Sequence, residues 1–186
     1  MAGASLRGLS VLANKSLVTP SPETERYALH EVLRQYGEAE LRQDPEFSTH
    51  VDEAHAAFYA ELMQESLALF VRSDQPRALR IVEDDLENVR SAWRHCLAIG
   101  DATAARRFVE GLWYLYEMRS WYPAGISLFG EALDAFDAGS DQEDVVKLRA
   151  LAGAAQAWFF SLIGQPEAHP VWRDARRPTS RSDLHR

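Results

Sequence analysis

Between residues 49 and 163 the apolar side chains recur at three-and-four spacing, which places them on one face of an α-helix. One stripe runs through Ala105, Phe108, Val109, Leu112, Trp113, Leu115 and Tyr116. Asp101 precedes it and is suited to cap a helix, because its carboxylate can accept from an orphan backbone amide. A second stripe takes in Gly125, Leu128, Phe129, Ala132, Leu133 and Phe136. The link Met118-Arg119-Ser120 is short, so the two helices are expected to be antiparallel neighbours. After the polar loop Asp137–Asp144 comes a third stripe, Val145, Leu148, Leu151, Ala152, Ala155, Trp158, Phe159 and Leu162, closed by Gly164-Gln165-Pro166. Upstream, Thr49–Arg72 and a segment from Pro76 to Leu97 have the same period, the latter with a possible break at Asp84-Asp85.

The first forty residues read differently. Leu6–Ala13 is a short apolar helix. Ser16–Thr19 and Arg26–Leu29 lean toward β, and the turn-rich Pro20–Glu25 lies between them. A further helix is expected from about His30, past Leu33 and Tyr36. This order of helix, β-hairpin and helix is that of the back half of a winged helix. The last segment, His169–Arg186, is arginine-rich and poor in apolar residues, and is expected to be disordered.

Composition excludes several functions. The chain has 186 residues and a net charge of −8, so its surface as a whole repels a phosphate backbone. A single cysteine, Cys96, leaves no intramolecular disulfide framework and no multi-cysteine zinc site. No apolar run reaches the length of a membrane span, and the N-terminus is unlike a secretion signal, so a cytoplasmic location is expected.

Several segments in order resemble bacterial signal-transducing NTPases of the STAND (NB-ARC) type. Leu9-Ser10-Val11-Leu12-Ala13-Asn14-Lys15-Ser16-Leu17-Val18 resembles their L-x-x-L-x-x-K-S-L-V. The run from Arg26-Tyr27-Ala28-Leu29-His30-Glu31 to Tyr36 resembles R-Y-x-M/L-H-E/D-L-L-R-x-Y. His55-Ala56-Ala57-Phe58-Tyr59 is similar to R-H-A-x-Y-Y, and Glu83–Trp93 to E-x-D-N-L-R-A-A-L. Leu112-Trp113 to Trp121 is similar to the tryptophan-rich helix that opens their tetratricopeptide-like array. Such regulators include AfsR-like and MalT/LuxR-like activators and fusions with class III nucleotide cyclases. The resemblance spans roughly residues 5–168 and implies an all-α chain. Residues 1–45 would form a partial winged-helix domain with a short β-hairpin. Residues 46–168 would form antiparallel helical hairpins of tetratricopeptide-like type, followed by a tail at 169–186. No G-x-x-x-x-G-K-[ST] loop is present to cradle a triphosphate. The chain therefore reads as a fragment that starts inside the winged helix and stops within a repeat. Repeats bury their apolar faces only against neighbours, so the last helix is expected to be poorly covered around Trp158 and Phe159, where a second copy could also dock.

Candidate sites follow. By resemblance, His30 occupies the M-H-D histidine position, near the phosphates of a bound nucleotide, in a chain that carries an upstream nucleotide domain. By itself it reads as a helix-start histidine bonded to local backbone. His50 and His55, five apart, diverge on a helix and make a poor metal site. Glu83, Asp84, Asp85 and Glu87 are expected to cap the following helix and pair with Arg90 rather than act as acid and base. Trp113 and Tyr116 read as core. Tyr114 and Tyr122 are open between core and a concave partner surface, and Trp121 joins them as a partner-binding candidate. Cys96 reads as a small buried hydrophobe. Arg173, Arg176, Arg177, Arg181 and Arg186 read as a solvated tail. The expectation is a non-catalytic regulatory module without metal or cofactor. It would bind a protein partner or an upstream nucleotide domain, with no membrane contact. A winged-helix DNA-binding regulator and the regulatory segment of a cyclase fusion are the competing readings.

Overall fold

A computed structural model describes residues 5–20, 27–72 and 74–169. They form eight α-helices and one two-stranded antiparallel sheet, so the chain is mostly helical. It divides into two compact units, Met1–Phe58 and Tyr59–Arg186. The division falls inside the third helix.

In the first unit, α1 (Leu6–Asn14) starts at Ser5, whose hydroxyl accepts from the Gly8 amide at 3.0 Å. Strands β1 (Val18–Pro20) and β2 (Tyr27–Leu29) pair with Val18 opposite Leu29 and Pro20 opposite Tyr27. Helix α2 (Glu31–Leu41) follows directly. In its first turns Arg34 forks between Glu31 and Glu38. Arg34 and the Gln35 amide hold the exposed Glu31 carboxyl down at about 2. Helix α3 (Pro45–Arg72) begins four residues before the expected Thr49, because the Asp44 carboxylate accepts from the Phe47 amide at 3.0 Å and Pro45 suits a first turn. Neither α1 nor α2 buries any residue.

The second unit has a continuous core. After α3 come α4 (Gln75–Asp84), α5 (Leu86–Ala98), α6 (Ala102–Met118), α7 (Tyr122–Ala135) and α8 (Glu143–Leu162), then a 3₁₀ turn at Pro166–Ala168. The expected break at Asp84-Asp85 separates α4 from α5. Trp93 of α5 is fully buried and meets Phe108 of α6 and Phe129 of α7 edge-on, with centroids 6.2 and 6.4 Å away. Phe129 in turn stacks on Phe159 of α8.

Helices α6 and α8 run parallel. Asp144 accepts from Thr103 at 2.7 Å near both N-termini, and Trp158 meets Trp113 further along. Helix α7 runs antiparallel to α8. Gly125 lies against Phe159, and the Gln156 amide donates to the Ile126 carbonyl at 2.9 Å. Arg149 donates to the carbonyls of Leu133 and Phe136 and so closes the end of α7.

Four helices end in one motif, in which a residue at positive φ precedes an amide that bonds back to the carbonyl five residues earlier. Gly100 and Gly164 serve α5 and α8, whereas Ser16 and Ser120 serve α1 and α6. The returning amides are those of Leu17, Asp101, Trp121 and Gln165.

Two expectations are corrected, for Phe159 and Asp85, and His169 is placed. Phe159 is fully buried, covered by Phe129, Tyr122 and Gly125 of α7. His169 is the one residue of the expected tail that lies within the described residues. It is buried, with its ring edge-on to Phe160 and a backbone hydrogen bond at Gly153. Asp85 makes no capping bond to the backbone of α5. Its carboxylate accepts from the Tyr59 hydroxyl and the Asn88 amide instead.

Candidate docking groove on the helical unit

The parallel pairing of α6 and α8 sets two rows of side chains next to each other. Val109 and Trp113, one turn apart on α6, form one wall together with Glu110. Leu151, Ala154, Ala155 and Trp158 face them from α8 at three-and-four spacing. The two alanines lie between larger neighbours and leave a depression of about 280 Å³. Trp158 is 46% exposed and Leu151 37% exposed. Trp158 leans edge-on against half-buried Trp113, with centroids 6.3 Å apart. Glu110 is the single titratable group in the lining. Next to it, Gln64, Arg106 and Arg107 line a polar depression that shares Glu110 and Leu151. Arg106 pairs with Asp144 at 3.6 Å, and the Gln64 amide donates to the Arg107 carbonyl at 2.7 Å. The groove can hold an apolar side chain against tryptophan faces, with polar groups at one end. It offers no nucleophile, no acid–base pair and no set of metal ligands.

The aromatic residues singled out from the sequence lie elsewhere. Tyr114 stacks on Phe70 at 5.7 Å with nearly parallel rings. Tyr122 packs on Phe159 at 5.8 Å, and its hydroxyl donates to Ser120. Trp121 stands edge-on to Tyr116 at 5.7 Å. All three are half-buried, and none lines the groove. Trp113, expected in the core, is a groove wall, whereas Tyr116 is buried as expected. The sequence signal for the groove is the α8 stripe, which continues through Leu151 and Trp158.

His30 is the N-cap of α2, and its Nδ1 accepts from the Val32 amide at 3.3 Å, matching the local-backbone reading. His50 is exposed beside Asp44, Glu46 and Phe47. Among the described residues no group of three histidine, cysteine or acidic side chains could hold a metal ion.

The acidic run is spread over separate partners. Glu83 pairs with Arg119, whose Nη2 lies 2.6 Å from Oε2, and Glu87 pairs with Arg90 at 2.8 Å. Arg90 also donates to the Tyr116 hydroxyl. Burial, with Asp101 nearby, pushes the Cys96 thiol up to about 11, which keeps it protonated and unreactive at neutral pH. Among the described residues no helix is long and apolar enough to cross a membrane. The tail arginines, from Arg173 onward, lie outside the described residues. No family model, curated protein or solved structure matches the chain.

Proposed function

We propose that the chain is a non-catalytic regulatory module that binds a protein partner through the α6–α8 groove. The occupant is an amphipathic helix of the partner, its large apolar side chain seated on Ala154 and Ala155 between the two tryptophans. One observation carries this reading: a half-exposed tryptophan and leucine frame an almost purely apolar depression on an otherwise well-packed unit. The helical hairpins are of tetratricopeptide-like type in this account. The segment order at residues 5–168 supports a place within a STAND-type signalling or transcriptional regulator. Ligand preference for one docking state would there be passed to a nucleotide domain upstream. His30 would sense nucleotide only beside such a domain.

Selection of displayed helical peptides on the 186-residue chain tests the groove. The account expects sequences with large apolar residues at i, i+3 or i+4, and i+7, whose binding falls at least about tenfold on Ala155→Trp, which fills the depression. Equal enrichment on the filled variant would contradict it.

A further inference from the structure

The apolar depression between α6 and α8 continues into the polar one, and Glu110 and Leu151 line both. The order of groups along the groove follows the sequence of α6. Trp113 comes first, then Glu110, then Arg107 with Arg106, spread over about 9 Å of helix. Three side chains supply the charges of the two linings: Arg106, Arg107 and Glu110. They are not committed alike. Arg106 pairs with Asp144 on α8, whose carboxylate also accepts from Thr103. Arg107 and Glu110 make no ion pair with any described residue, nor with each other, although they stand three apart on one helix. An exposed pair at that spacing is weak, so both groups are free to take charges from outside. The Arg107 backbone is pinned, because its carbonyl accepts from the Gln64 amide at 2.7 Å.

We propose that this order of charges selects the partner. The occupant is an amphipathic helix that carries, beside its apolar anchor, a basic residue three or four positions away and an acidic residue seven positions away in the same direction. The base meets Glu110 and the acid meets Arg107. Helical rise is the same on both sides of the contact, so three marks on α6 match three marks on a partner laid along it. A helix with the two charges exchanged meets like charge at both places and is rejected for that reason. The chain as a whole carries −8, which favours basic peptides wherever they land. An acidic preference at one fixed position runs against that background and is the diagnostic part of the proposal. The inference rests on the peptide-binding reading of the groove and adds the charge pattern of the partner to it.

Helical peptides displayed against the full chain and two charge variants test this. The wild-type chain should enrich Lys or Arg at the near position and Asp or Glu at the far one. Arg107→Glu with Glu110→Arg should enrich the exchanged order, and should bind a peptide selected on the wild type about tenfold more weakly. Arg107→Gln with Glu110→Gln should keep the apolar anchor and lose the preference at both positions. Circular dichroism of each variant checks the helical signal, and the glutamine pair decides alone if the exchanged chain does not fold. Three results would overturn the proposal and leave the groove reading in place: apolar anchors with no charge preference on the wild-type chain, basic residues favoured at every position, or an order that survives the exchange. Equal enrichment on Ala155→Trp would remove the groove reading, and this proposal with it.

Discussion

Two glycines set how closely the helices of the second unit approach. A Cβ at Gly125 would collide with the buried Phe159 ring, which is held between Phe129 and Tyr122. A Cβ at Gly111 would meet the end of the flexible Met63 side chain. Gly125→Ala should therefore cost about 1–3 kcal/mol, as overpacking does, and Gly111→Ala clearly less, by thermal or denaturant unfolding. Ser120 takes the positive φ of 56° at the end of α6 that glycine supplies elsewhere. Ser120→Gly should stabilise the chain by about 0.5–1 kcal/mol in the same assay. His169 is held below its ordinary value, chiefly by burial. Protonation is thus opposed in the folded chain, and the unfolded chain takes the proton first. The contribution is fully present above about pH 6.5 and is lost as pH falls through the lower folded value. His169→Gln should accordingly flatten the fall in stability between about pH 7 and 5. Neither Ser120 nor His169 was legible in the sequence. A serine at positive φ has no composition signal, and a lone histidine beside a proline has no periodicity.

At the scale of elements, spacing alone located the helices well, since each buries one stripe. The hairpin and the start of α2 at His30 were equally legible. What spacing does not reveal is which neighbour covers a given angle of the helix. Trp158 and Phe159 are consecutive, so they point about 100° apart. One looks into the open groove, the other into α7. The sequence placed both on one uncovered face, and half of that was wrong. Tyr114 and Tyr122 posed the same difficulty, because their cover comes from Phe70 and Phe159 on other helices. The contrast is testable in one pair of variants. Phe159→Ala should cost about 3–5 kcal/mol, as for other buried phenylalanines. Trp158→Ala should cost less than about 1 kcal/mol, as expected where a side chain is half solvated.

Over the whole molecule, the two units divide the work unequally. The second holds the core built around Trp93, Phe108 and Phe129, and the groove lies on its surface. The first has helices with good caps and ion pairs but no buried residue in α1 or α2, and exposed ion pairs contribute little. Charge and cysteine usage limited what the chain could do, but the groove itself needed three dimensions. Its walls come from stretches 109–113 and 151–158, far apart in the chain and joined by the parallel packing of α6 on α8. The central claim is that this groove, and not a reaction centre, is the working surface. Chemical-shift mapping with a selected helical peptide is the most direct measurement. The account predicts the largest perturbations at Val109, Trp113, Leu151 and Trp158, with the first unit unmoved. Perturbations centred on His30, or on the acidic run at Glu83–Glu87, with the groove residues silent, would contradict it.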